Sequence, residues 1–369
     1  MSYQLNRRHF LLQASAFLAS TALQPQAFAG LFSGSKTDDV LLGGCRFKDL
    51  DTNTMKFSLA RVVPAQSSAK QATANFFPHG LAFTGGQKKK AFAFAFEKIG
   101  PGAGLFDVEK MELLATIAPV KGRLFYGHGA CSADDQLVYS TETAETGDGA
   151  IGVRETGSLK YLGDFPTYGL NPHECHLIEN GTVLAVTNGG GNEASGKLAS
   201  ICYIDVQSQK LLDRIEMTDQ RFNAGHMFPL ANRQSILVSA QRRDLDDNHI
   251  GAVSMQRNTK SLDVITQPAD IVNNMLGESL SVLAIPAVDL FVVTHPKPGM
   301  VTVWQLSTNK FLKRLDLPHA RGLALTRDQS GVWISYGTQA ELVQMKLADF
   351  SLGAHMAGTY ITGSHLFPV

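Results

Sequence analysis

Charge of one sign is what this chain most plainly lacks. Its 33 basic and 33 acidic side chains leave a formal net charge of zero over 369 residues, so no general field draws it to nucleic acid or to an anionic membrane. Paired cysteine is missing too. Cys45, Cys131, Cys175 and Cys202 include no C-x-x-C, which removes the zinc-ribbon and thioredoxin-like readings, and no spacing among them dictates a disulfide. Beyond residue 30 no run approaches eighteen apolar residues, so the mature chain is expected to be soluble, without a membrane span. There is no G-x-S-x-G elbow or other nucleophile motif. Asn188-Gly189-Gly190-Gly191-Asn192 follows a strand-like run without opening a helix, and reads as a loop rather than a phosphate cradle. Asp244-Leu245-Asp246-Asp247-Asn248 begins like a calcium loop, but His249 and Met255 stand where the turn glycine and the bidentate glutamate belong. Lys88-Lys89-Lys90 reads as a solvated turn.

What is present begins with an address. Arg7-Arg8 precedes His9-Phe10-Leu11-Leu12, a modest apolar stretch runs to Leu23, and Ala27-Phe28-Ala29 places small residues where a signal peptidase reads. The order resembles a twin-arginine signal and predicts cleavage after residue 29, with export of a folded protein to the periplasm. The competing reading of these residues is an amphipathic helix capping the domain.

The remaining sequence, 30–369, carries 34 Gly and 14 Pro among many short apolar runs if the leader is counted with it, a pattern of frequent turns that favours an all-β fold. One short phrase recurs: a polar side chain, often beside Gly, followed by an apolar run. It starts at His79, His128, His173, His226, Glu278, Arg321 and His365, at intervals of 49, 45, 53, 52, 43 and 44 residues. That is the period of a propeller blade, one four-stranded sheet per repeat. Further β-rich runs fill each interval, such as Ser235–Ala240, Gly251–Gln256 and Leu262–Gln267 in one, and Gly331–Tyr336, Glu341–Leu347 and Gly353–Tyr360 in another. Six complete repeats leave one strand at the C-terminus and three near the start, Val40–Phe47, Met55–Val63 and Lys70–Phe76. The prediction is a single seven-bladed β-propeller over 30–369, whose closing blade joins these four strands and so removes the open edges.

In such a ring the innermost strands border a central channel, and the seven starts form a circle at one mouth. Five of the eleven histidines in the chain fall on those seven sites. Neutral imidazole is the commonest side-chain metal ligand, and a neighbouring carboxylate suits zinc, copper or iron. His79, His128, His173, His226, His365 and Glu278 are therefore candidate ligands of a transition metal, with Arg321 lining the channel. Metal–nitrogen bonds of about 2.1 Å let only two to four of them reach one ion, with water completing the shell. The alternative is that these side chains tie neighbouring blades together, with Arg321 and Glu278 as an inter-blade ion pair. Strand alternation sends His173 and Cys175 to one face and Glu174 and His176 to the other, so these four cannot share an ion unless the strand bends. Cys131 and Cys175 lie on inner strands within reach of a channel metal, or serve as small buried hydrophobes.

Pro78-His79-Gly80-Leu81-Ala82-Phe83, Tyr126-Gly127-His128-Gly129 and Asn171-Pro172-His173-Glu174, together with the twin-arginine leader, resemble an uncharacterised family of exported periplasmic propellers classed as a domain of unknown function. Tyr139-Ser140-Thr141-Glu142 and Gly149-Ala150-Ile151-Gly152-Val153 match its style. The resemblance covers essentially the whole mature chain and implies a neighbourhood with imelysin-like proteins of iron uptake. The leading expectation is a monomeric, non-enzymatic periplasmic propeller that binds iron, copper or zinc, or another metal-uptake protein. A metal-dependent hydrolase or redox propeller, and an interaction scaffold with a purely structural histidine ring, are the alternatives.

Overall fold

The computed structural model describes residues 38–84, 91–242, 244–245, 250–257 and 261–369. The predicted leader, Lys88-Lys89-Lys90 and the stretch from Asp246 to His249 lie outside the described residues.

The chain is almost all β, with a propeller-like arrangement of antiparallel four-stranded meanders. Gly80–Thr84, Phe92–Phe96, Ala103–Asp107 and Glu112–Thr116 form one sheet. Arg123–Cys131, Leu137–Ala144, Asp148–Glu155 and Tyr161–Leu170 form the next, joined at its inner edge by the short strand Lys98–Gly100. Val282–Ile285, Leu290–His295, Met300–Gln305 and Phe311–Asp316 make another, and Leu323–Leu325, Gly331–Tyr336, Glu341–Lys346 and Leu352–Met356 the last of the simple meanders. The ends of the chain share a sheet. Phe367–Pro368 pairs with Leu41–Lys48, which continues to Met55–Val63 and Ser68–Ala74.

Between residues 172 and 264 the pattern differs from expectation. Two meanders, Pro172–Ile178 to Leu211–Met217 and Met227–Pro229 to Ser261–Val264, are fused into one eight-stranded sheet. The link is parallel and short, Glu216 with Ser261 and Met217 with Leu262. The last strand of the second meander pairs with its own sheet only through Ser254 and Met255. It ends at Val264, short of the predicted Gln267, because Pro268 opens the helix Ala269–Val272 instead.

The apolar pattern explains the packing. Outer strands alternate, as in Leu211–Met217, whereas middle strands such as Val183–Asn188 and Ser235–Ala240 are mostly apolar and buried on both faces. Successive side chains point to opposite faces. Val183 and Ala185 thus join a core with Leu237 and Ala252 of the following meander, while Leu184 and Val186 join one with Tyr139 and Ile151 of the preceding meander. The sheet holding both chain ends does the same: Leu42 and Leu59 pack on Leu81 and Ala93, and Leu41 and Val62 on Trp333 and Leu342. Each meander is therefore stabilised by its two neighbours rather than by a core of its own.

Candidate metal centre

The imidazoles singled out by spacing converge. Ring centroids of His79 lie 4.9 Å from His128 and 4.8 Å from His365, and those of His226 lie 4.5 Å from His173 and 4.3 Å from His365. These residues come from sheets that are not all neighbours, so the cluster sits where the inner strands meet. Ligand atoms of His79, His128, His226 and His365 all lie within 4.8 Å of one another.

Glycine makes this crowding possible. A Cβ on Gly80 would lie 2.6 Å from His128 Nδ1, and one on Gly127, at φ 111°, would lie 2.8 Å from His79 Cδ2. Glycine at 80 and 127 is thus a packing requirement, since a side chain at either would displace an imidazole.

Hydrogen bonding sorts the five rings. His226 donates from Nδ1 to the Leu280 carbonyl at 2.7 Å, which leaves its Nε2 as an acceptor in the neutral ring. His173 Nε2 lies 2.8 Å from that nitrogen and donates to it. By contrast the buried Nε2 atoms of His79, His128 and His365 have no hydrogen-bond partner among the described residues. Burial holds His79, His128, His173 and His365 well below the usual imidazole range, and the positive charge of neighbouring groups adds to the effect. His226 is lowered for the same first reason. The rings are accordingly neutral near pH 7, the form in which imidazole ligates.

The ligand geometry fits a metal. Two nitrogens bound in line at about 2.1 Å span about 4.2 Å, so a set spread over at most 4.8 Å closes on an ion with shifts of well under 1 Å.

Glu278 is not one of the four grouped residues; it lines a cleft beside them. Nor does it pair with Arg321. Its backbone forms a bridge with Ala240, which ties it to the preceding sheet, while the Arg321 carbonyl accepts a hydrogen bond from Thr294 Oγ1 at 2.6 Å. The expected inter-blade ion pair is therefore absent among the described residues.

Glu174 is the site residue that alternation set aside. The pairing of Pro172–Ile178 with Val183–Asn188 slips between Pro172 and Cys175, and this bulge breaks the two-residue period that alternation assumes. The Glu174 carboxylate accepts from the Met227 amide at 2.6 Å, lies 3.3 Å from His176 Nε2 and reaches to 3.7 Å from His128 Nδ1. Burial would raise its pKa, but the charge and hydrogen bond of His176 outweigh that and bring it down to about 2. An ionised carboxylate beside a ligating imidazole is the usual outer partner of a metal site. Its signal in the sequence was the Pro172 that precedes the bulge. All four cysteines are free thiols. Cys175 packs with Ile151 and Val186, and burial pushes the Cys131 thiol up to about 12, so both behave as small hydrophobes.

Among the described residues no helix is long and apolar enough to cross a membrane. A family described as "Protein of unknown function (DUF1513)" matches residues 78–360. No curated protein matches. Among solved structures, hydrazine synthase of Kuenenia stuttgartiensis is similar with a TM-score of 0.65 at 11% identity, over 81% of this chain and 93% of that one. A protein from Lactobacillus plantarum is similar with a TM-score of 0.62 at 12% identity, over 90% of this chain and 100% of that one. At these identities the likeness is one of fold.

Proposed function

We propose that this chain, which belongs to the family matched over residues 78–360, is a seven-bladed periplasmic propeller that binds a transition metal on its axis and serves metal acquisition. The seven-blade count is supported by the apolar clusters, which fill the contacts between successive meanders and close from the last, around Trp333, to the first, around Leu41. Export through the twin-arginine route, and with it the periplasmic address, rests on Arg7-Arg8 and the Ala27-Phe28-Ala29 site. A neighbouring metal-uptake protein is the partner that the family resemblance implies, and iron, copper and zinc all suit an imidazole-rich set.

One observation carries the metal reading: three of the clustered imidazoles have buried Nε2 atoms without a hydrogen-bond partner among the described residues. A purely structural ring would bond those nitrogens, because an unmade buried bond costs about 1–3 kcal/mol. His226 and His173 alone behave as ties. The test is metal analysis of untagged protein recovered from the periplasmic fraction. About one metal per chain is expected, lost in His128→Ala while the protein stays folded. Recovery from the cytoplasm alone sinks the address, and no metal under iron, copper or zinc loading sinks the site.

A further inference from the structure

Beside the histidines lies a cleft of about 250 Å³, just under the roughly 300 Å³ at which pockets for drug-sized ligands begin, so its occupant is a small molecule. The glycine-rich loop of the sequence lines it and is fixed by its own backbone. The Gly189 amide donates to the Asn171 carbonyl at 2.9 Å, Gly190 to Leu170 at 3.1 Å and Gly191 to Lys197 at 2.9 Å. Gly190, at φ 76°, packs so closely that a Cβ there would lie 2.6 Å from the Ala199 nitrogen. A backbone cradle for an anion needs free N–H groups, and here all three are bonded within the protein.

The charges of the lining cancel. Arg242 makes two hydrogen bonds of 3.0 Å to Asp244, and Lys98 is offset in formal charge by Glu278, so the described lining is neutral as a whole. Three carboxamides supply uncharged polar groups. Asn223 accepts from the Ala240 amide and Asn192 from the Ser195 amide, both at 3.0 Å through Oδ1, which leaves each Nδ2 as a donor. Asn171 does the reverse: its Nδ2 donates to the Gly190 carbonyl at 2.8 Å, which leaves Oδ1 as an acceptor. Neutral donors and acceptors side by side match hydroxyl groups, each of which both donates and accepts. Tyr126, Ala224 and Val238 give the same cleft an apolar wall, suited to the C–H faces between hydroxyls.

We infer that the cleft binds a small uncharged polyhydroxyl molecule of monosaccharide size, held by the carboxamides of Asn171, Asn192 and Asn223. An ion of either sign would meet a like charge in the lining as well as an opposite one, and would give up its hydration for no net attraction. The inference is independent of the metal reading, since none of the three carboxamides belongs to the histidine cluster. No covalent bond is made or broken.

Calorimetric titration of the untagged protein with glucose and with galactose provides the test. Saturable binding of at least one is expected, with a Kd near about 1 mM, the ordinary reach of a ligand of about a dozen non-hydrogen atoms. Glucuronate and galacturonate, which put a carboxylate on the same ring, should bind at least tenfold more weakly than their parent hexoses, a comparison that needs no variant. Asn223→Asp keeps the acceptor for the Ala240 amide and replaces the donor, so it should bind the hexose at least tenfold more weakly. Glu278→Gln removes a charge and keeps an acceptor, and should change that affinity less than threefold. Titrations of metal-free and of Co²⁺-loaded protein let the cleft and the metal site fail separately. No heat from either hexose, uronates that bind as tightly as the hexoses, or a folded Asn223→Asp protein of unaltered affinity overturns the inference and leaves the metal site standing.

Discussion

An imidazole held neutral inside a protein makes the fold sensitive to acid. His79, His128, His173 and His365 sit well below the usual histidine range and His226 below it, all chiefly through burial. In the unfolded chain each takes up a proton near pH 6.5. Below that pH the unfolded state binds more protons than the native one, so stability falls as pH falls, by at most about 1.4 kcal/mol per pH unit for each ring. With five such rings the metal-free protein should lose stability steeply between pH 6.5 and 5. Urea midpoints across that window are the measurement, and bound metal should flatten the profile by mass action. A midpoint that hardly moves would mean the rings are solvated. Which residues cluster was readable in advance, because a polar start, histidine at five of seven places, recurs at intervals of 43 to 53 residues. Glu174 was not, since alternation fails at a bulge, and Pro172 hints at a break in the ladder without stating which residue the slip turns inward.

At the scale of the element, the inner strands are held by hydroxyls on the strands beside them. Thr141, Thr187, Thr294 and Ser335 each bond the backbone of the adjoining inner strand. Thr141 and Thr294 also donate to a carbonyl of the next meander, His173 and Arg321 respectively. Thr294→Val keeps the shape but leaves the Ser281 amide and the Arg321 carbonyl unpaired in a buried place. A loss of about 1–3 kcal/mol is expected in denaturant titration, and a loss within a few tenths would show that water replaces the hydroxyl. Strand positions were legible because these runs are rich in β-formers and bounded by turn residues: Met55–Val63, Ser235–Ala240, Gly251–Gln256 and Gly331–Tyr336 fall as predicted. Ends of outer strands were less so, as Leu352–Met356 stops short of Tyr360. The fused contact at Met217 and Leu262 depends on two meanders meeting in space, which no local pattern encodes.

For the whole molecule the decisive contact joins its two ends, and it reaches the histidine cluster. Leu41 and Leu42 pair with Pro368 and Phe367, and the Val369 amide donates to the Val40 carbonyl at 3.0 Å. Leu366 is buried with Leu41 and Trp333, and Asp39 reinforces the seam by accepting from Trp333 Nε1 at 2.8 Å. Deleting Leu366–Val369 removes none of the imidazoles yet takes away the strand Phe367–Pro368 that anchors the segment carrying His365. It also bares the edge of Leu41–Lys48, an invitation to pair with another chain. The shortened protein should therefore bind metal at least tenfold more weakly and elute in size-exclusion chromatography as dimers or aggregates. The clustered imidazoles come from different sheets, so their mutual approach depends on how those sheets meet. A shortened chain that stays monomeric and binds metal as tightly as the full one would show that the site does not depend on closure.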